Sequence, residues 1–561
     1  MAPFALGILA AAMAQTSTAP PSLLEAVAER LRDRIEAAAV VPSLEVEDEP
    51  VFSSDVLARF YLERSFRPAW VGPDGPLPLA DELLRAIDEA DEEGLHPEDY
   101  HLLASRELMD QALAERAGGR GSTPHLLADL DIALTDAFLV YGAHLAVGRV
   151  DPETIDTMWH AQLREIDMVA VLGDAVSTGA VRSSLQALLP RHAGYWKLRD
   201  ALARYREFVA QGGWPLVPPG AKLEKGAAGE RVRLLRARLA TTGELSGPAS
   251  PAFEDDLDRA VRSFQRRNGL EADGVVGPRT LTALNHTAAE RARQIEINLE
   301  RWRWLPQDLG ERHILVNIPQ FELDVVEGDR TVLAMRAVVG RPYRRTPVFT
   351  ALVTYLVLSP YWHVPPGIAA ADILPAVRKD ASYLATRNIR VFQGWGADAR
   401  EIDPSAVDWT GVAARNLPYH FRQEPGPANA LGRVKFMFPN TYSVYLHDTP
   451  SRELFGRDRR AFSSGCIRIE KALDLAEYLL RDDPRWGRNA IEAAASRGRE
   501  TTALIPRPIP LHLLYWTSWA DAEGSVHFRE DIYERDALLA EALAEPPPTV
   551  KSLARNRRKR R

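Results

Sequence analysis

Apolar residues recur three and four apart from residue 21 to about 210, as in SLLEAVAERLRDRIEAA and PLADELLRAIDEADEEGL. That spacing predicts helices that each bury one face. Gly94 followed by Pro97 closes the second of these. A Pro/Gly-rich stretch, GGWPLVPPG at 212–220, ends the region. Beyond it Phe253, Leu257, Val261 and Phe264 fall on one helical face, and Gly269 stops that helix. Asp273-Gly274 makes a turn, and Pro278 opens a last helix with Leu281 and Leu284 inward. Together with GERVRLLRARLATTG at 229–243, these predict a three-helix module. After the helical AERARQIEINLERWRWLP (289–306) the period falls to two, and HILVNI, FELDVVE, TVLAMRAVVG and ALVTYLVLS read as strands. Gly328-Asp329 between two of them is a hairpin signal. From 364 to about 430 the chain is mixed, rich in proline and helix formers, and the β pattern resumes at RVKFMF and YSVYLHD. An insertion of this size between strands sits over one end of the sheet, where it serves as a lid.

The pattern describes a multidomain α+β chain. Its parts are a helical scaffold at 50–210, the three-helix domain at 225–286 and a mainly β domain at 310–505. That β domain carries an α-rich capping insertion at about 364–430; beyond it lie a C-terminal extension (506–545) and a basic disordered tail (546–561). At 561 residues the chain is too long for a single core, so several units are required. A net charge of −8 gives no general attraction to nucleic acid, so none is expected as a partner. The tail KSLARNRRKRR has no acidic residue and reads as a solvated end. At the N-terminus the short apolar run Phe4 to Met13 meets Ala12-Met13-Ala14, an export signal cut after Ala14, residues 1–14. No later run approaches the ~20 apolar residues that a membrane-spanning helix needs, so no transmembrane segment is expected. His101, His125, His144, His160 and His192 lack metal-ligand spacing, so neither a metal nor a cofactor is expected.

Candidate chemistry gathers at one place. Cys466, within RRAFSSGCIR, is the only cysteine of the chain, and His447 lies nineteen positions before it in TYSVYLHDTP. A thiol is a strong nucleophile once deprotonated, and an imidazole accepts that proton and later returns it to a leaving group. With no second cysteine, the thiol forms no internal disulfide. Gly465 permits close backbone approach, and the small-residue turn Ser463 to Cys466, including Ser464, aims amides at a developing oxyanion. Arg468 supplies a fixed positive charge that favours the thiolate or holds a substrate carboxylate. The helix in EKALDLAEYLL starts just past the thiol and lowers its pKa a little. Tyr445 shares a face with His447 by period-two alternation, and with Trp362 it is expected to wall a substrate groove.

HDTP, the eighteen residues Asp448 through Gly465, then CIR resemble the active-site signature of the YkuD-type L,D-transpeptidases. YWHVPPGIAAADILP, LGRVKFMFPN and YWTSWADAEGSVHFREDIYERD resemble the long, YcbB-like branch of that family; Ser464 stands where many shorter members carry His. Phe264-Gln265, Gly269-Leu270, Asp273-Gly274, Gly277 and Thr280 resemble the peptidoglycan-binding family PG_binding_1. The resemblance implies a β-sandwich catalytic domain in the periplasm, associated with the cell wall. There Cys466 takes the acyl group of a tetrapeptide stem as a thioester, His447 acts as base, and a second stem accepts it in a 3–3 cross-link. It also implies inhibition by carbapenems acylating this thiol, and partnership with a D,D-carboxypeptidase or a cell-wall synthase. An L,D-carboxypeptidase, a lipoprotein-to-peptidoglycan ligase and an inactive wall-binding protein stay open as alternatives. The cationic PSRELFGRDRRA, between the two candidates, reads as a loop that steers acidic stem peptides.

Overall fold

A computed structural model describes residues 21–548, apart from 41–43, 120, 162, 248–249 and 395. The export signal and the tail from 549 onward lie outside the described residues. Helices from Leu23–Val40 to Ala193–Ala210 pack around the long helix Pro124–Val147. That helix corrects the expectation about apolar runs. With 24 residues and a mean hydropathy of 1.4 in its apolar stretch, it is long and apolar enough to cross a bilayer, yet that stretch is wholly buried by protein. Asp131 and Asp136 interrupt its apolar run, which is why the sequence does not display it; both are buried and hydrogen-bonded, Asp131 to the Ala69 and Trp70 amides. The scaffold also exceeds its expected limits, because Leu23–Val40, the helix Ala288–Arg303 and residues 514–528 share its core. Trp302 stacks on Trp516 there with ring centroids 4.1 Å apart.

The three-helix module forms as expected from Glu230–Thr241, Asp255–Arg267 and Pro278–Leu284 around Leu257, Val261, Phe264 and Leu284. Its motif residues are a turn lock. The Gln265 amide donates to the Asp273 carboxylate at 2.7 Å and its carbonyl accepts from the Gly274 N–H at 2.9 Å. Gly274 has φ +75°, and a Cβ there would fall 2.1 Å from Asp258, so only glycine fits.

The β domain is built on a ten-stranded sheet. Val348–Leu358 pairs with both Thr501–Leu514 and Val434–Met437, which closes eight of the strands into a ring around one apolar core. A ring leaves no free edge among its members. The boundary expected at 505 falls inside Thr501–Leu514, whose later residues Leu511 to Leu514 pair with Arg312–Asn317. The strand's apolar pattern is broken by Pro506, Arg507 and Pro508, which sit at a register shift between Leu504 and Ile509. Trp159–His160, from the scaffold, adds a further strand beside Val348–Leu358.

The capping insertion holds short helices from Pro366 to Thr386, and also a four-stranded antiparallel sheet with Trp362–His363, Tyr419–Gln423, Ile389–Gln393 and Arg400–Ile402 in that order. The sheet is an addition to the α-rich picture, since strands this short carry little period. Ile373, Leu374, Val391 and Phe421 give the insertion its own small core.

Candidate active site

Leu446–His447 runs parallel to Ile467–Ile469, with Leu446 opposite Ile467 and His447 opposite Arg468. Leu446 and Ile467 point into the core and are fully buried. Alternation therefore sends Tyr445, His447, Cys466 and Arg468 to the other face. There they line one cavity of about 850 Å³, together with Trp362 and Ser464. Pro365, Asp372, Tyr383 and Gln423 of the insertion complete its walls, so the insertion expected as a lid lies over the cavity that holds the thiol.

The imidazole is fixed by its neighbour. His447 Nδ1 lies 2.5 Å from the Asp448 carbonyl, which only accepts, so Nδ1 carries the proton and Nε2 is left as a base. Burial, aided by the Arg468 charge, holds the His447 pKa down to about 3 against that carbonyl. Asp448 is itself tied down: its carboxylate accepts the Arg433 amide at 2.9 Å and meets Arg452 at 3.3 Å. The Cys466 thiol donates to the Ser443 carbonyl at 3.7 Å. Burial pushes its pKa up to about 11, while Tyr445, through backbone and hydroxyl, and then Arg468 pull the other way. The thiol keeps some surface toward the cavity but is enclosed by protein on its other sides. At neutral pH the resting pair is therefore an uncharged thiol and an uncharged imidazole.

Tyr445 and Trp362 come together as expected of a groove wall. Both rings line the cavity beside the thiol, and the Tyr445 ring centroid lies 5.6 Å from that of His447. Arg468 is largely desolvated, and it makes no ion pair or hydrogen bond among the described residues; its Nε is buried without a partner. Two expectations are corrected. The Gly465 N–H donates to Ser463 Oγ at 3.1 Å, so that amide is not available to an oxyanion. Gly465 serves instead by its φ of +115°, a conformation that side chains disfavour. The helix Ala472–Leu480 begins only after the strand Ile467–Ile469, about 10 Å of extended chain, so its dipole does not reach the thiol.

Sequence reasoning missed three supports. Asn440 gathers residues 440–444 into a turn, its carbonyl accepting the Tyr442 and Val444 amides, and Ser443 then adopts φ +57°, which points its carbonyl at the thiol. The Pro439-Asn440 pair was the visible signal. Arg344 donates to Ser464 Oγ at 2.8 Å and pairs with Asp372 of the insertion at 2.5 Å. Thr346 donates to the Gly465 carbonyl at 2.8 Å and accepts the Gly340 amide. Nothing in a linear pattern announces either residue. Among the described residues, no cluster of His, Cys, Asp and Glu could hold a metal ion.

Residues 311–486 match the family model of the L,D-transpeptidase catalytic domain. The chain carries an L,D-transpeptidase catalytic domain. Residues 228–284 match a "Putative peptidoglycan binding domain" and 55–202 a "Scaffold domain", so the three units stand in the expected order. The transpeptidase domain contains both His447 and Cys466. Over 250 residues the chain is 34% identical to a "Putative L,D-transpeptidase" of Haemophilus influenzae, covering 44% of this chain and 49% of that protein. Over 75 residues it is 36% identical to the N-acetylmuramoyl-L-alanine amidase CwlL of Bacillus licheniformis, covering 13% and 21%. The chain thus spans half or less of these curated relatives. A crystal structure of an L,D-transpeptidase from Stackebrandtia nassauensis, 14% identical, covers 47% of this chain and 90% of its own, with a TM-score of 0.20. That superposition is too loose to relate individual residues.

Proposed function

We propose that the chain is a cell-wall L,D-transpeptidase that forms 3–3 cross-links through a thioester on Cys466. The observation that carries this reading is the Cys466 thiol sharing one cavity with an imidazole whose Nε2 is left to act as base. As the Cys466 sulfur attacks the carbonyl of the third stem residue, His447 Nε2 takes the thiol proton. The C–N bond to the terminal D-Ala breaks, and His447 returns the proton to the departing amine. The amine of a second stem then attacks the thioester; His447 Nε2 takes the proton this amine loses and passes it to the departing sulfur, so that the C–S bond breaks, the new amide forms and the thiol is restored. The thioester retains the activation of the cleaved amide, so no external energy source is needed. Arg468, with no counter-ion, suits a stem carboxylate. The Ser464 and Cys466 amides make no hydrogen bond among the described residues, which leaves them to meet the oxyanion. Peptidoglycan as substrate places the protein outside the cytoplasm, and the wall-binding module suits that location.

The test incubates the protein with diaminopimelate-containing disaccharide tetrapeptide and reads products by mass spectrometry. A 3–3 dimer with free D-Ala is expected. Tripeptide alone moves the assignment to L,D-carboxypeptidase, in which water takes the acyl group. No product and no thiol acylation would leave a wall-binding protein.

A further inference from the structure

Apart from the active-site cavity, a cleft of about 1060 Å³ opens where the three-helix module meets the β domain and its C-terminal extension. Seven arginines line it against three carboxylates, in a chain whose overall charge is −8. Two of the seven are neutralised across the unit boundary, Arg279 by Asp458 at 3.3 Å and Arg459 by Glu530 at 3.5 Å. The other five make no ion pair among the described residues. Three of these are held away from bulk water. Arg460, 8% exposed, donates only to the backbone carbonyls of Ala337, Arg457, Gln320 and Phe321. Arg529 donates to the Arg267 and Phe528 carbonyls, and Arg291, 7% exposed, to the Gln294 and Asn268 side chains while lying 4.2 Å over Phe528. Burial lowers the pKa of each. Arg266 and Arg336 are exposed at the cleft surface.

Burying guanidinium groups without carboxylates is costly, because carbonyl dipoles satisfy their hydrogen bonds but leave their charge uncompensated. Three such groups, with the exposed Arg266 and Arg336 beside them in one concavity, create a positive potential that focuses on an anionic ligand. The location narrows the ligand. Arg460 stands six residues before Cys466 on the same segment, so at most about 20 Å of chain separates the cleft wall from the thiol. We propose that the cleft is a second wall-binding site, which takes a carboxylate-bearing stem peptide of a strand other than the one held at Cys466. The inference rests on the peptidoglycan reading above.

The test uses the full chain with Cys466→Ala, so that binding is read without turnover, and titrates soluble disaccharide tetrapeptide by calorimetry. Two equivalents are expected, one at the active-site cavity and one at the cleft. Arg266→Glu with Arg336→Glu weakens the second equivalent at least tenfold, and Arg266→Lys with Arg336→Lys retains it, which separates charge from a folding defect. The same muropeptide with its carboxylates amidated loses the second equivalent. A single equivalent in the parent, or a second one indifferent to both the charge reversal and amidation, overturns the proposal. So does inorganic phosphate displacing the second equivalent at concentrations where the amidated muropeptide still binds. Acylation of the intact Cys466 by the same muropeptide, read by protein mass, tests the functional reading separately. Acylation with only one binding equivalent removes the cleft and leaves the active site standing.

Discussion

His447 and Cys466 owe their state to burial, and this gives the pH profile a definite shape. With the imidazole held down to about 3 and the thiol raised to about 11, neither group titrates near neutrality. The second-order rate of thiol acylation, measured with a carbapenem as probe, is expected to lack an inflection near 6.5 and to fall only below about pH 4. An acid limb centred between 6 and 7, abolished by His447→Gln, would contradict this. His447→Ala itself is expected to slow acylation by about 10²–10⁴. Gly465→Ala forces a side chain into φ +115° and is expected to cost about 1–3 kcal/mol, seen as a lower Tm together with slower acylation. Far from the site, His101 is buried between Asp136 at 2.9 Å and Glu49 at 2.6 Å. Burial lowers its pKa, but the two carboxylates outweigh burial and raise it to about 9. A raised pKa means stability fully present below the unfolded value of about 6.5 and lost as pH climbs through 9. The loss is on the order of 3 kcal/mol, and His101→Gln is expected to flatten Tm between pH 6.5 and 9.5. An equal decline in the variant would contradict this.

Among elements, the longer periodic ones were legible and the shortest were not. The helices of the module and the strands from Arg312 to Leu358 follow their hydrophobic period, so the pattern found them. Leu446–His447 and Trp159–His160 are two residues each and carry no period; they exist because a neighbouring strand completes their ladder. The pairing of 446–447 with 467–468 brings His447 beside the strand that follows Cys466, and a parallel contact across about twenty residues leaves no local trace. The cysteine and histidine themselves were visible because their surroundings are poor core material. Their supports were not, because Arg344 and Asp372 belong to a loop and to the insertion, joined only in space. That pair links the lid to Ser464 beside the thiol. Asp372→Asn is expected to speed amide exchange in the lid helices, lower kcat/KM several-fold and leave global Tm nearly unchanged, since partly exposed ion pairs contribute ~1 kcal/mol or less. Unchanged lid exchange would show that the pair does not hold the insertion.

Over the whole molecule, the catalytic ring cannot be separated from the chain beyond residue 500. Ala503, Ile509, Leu511 and Leu513 are buried in its core, and their strand joins Arg312–Asn317 to Val348–Leu358. A fragment ending at residue 486, where the family match ends, lacks that strand. Its β domain is expected to lack the slow amide exchange that the ring strands 312–358 show in the full chain; equal protection of those strands in the fragment would contradict the closed ring. Trp159–His160 and the shared core of residues 514–528 bind the scaffold to the same sheet, so the scaffold, the lid and the thiol are carried on a common frame. The proposed function rests most on acyl transfer to one sulfur. The deciding measurement is the intact mass of the full chain after brief incubation with disaccharide tetrapeptide, with peptide mapping of the adduct. Acyl transfer to the thiol gives a mass increase equal to the disaccharide tripeptide acyl group, located on Cys466 and absent from Cys466→Ala. Products formed with equal yield by Cys466→Ala, or an adduct on any other residue, would contradict it.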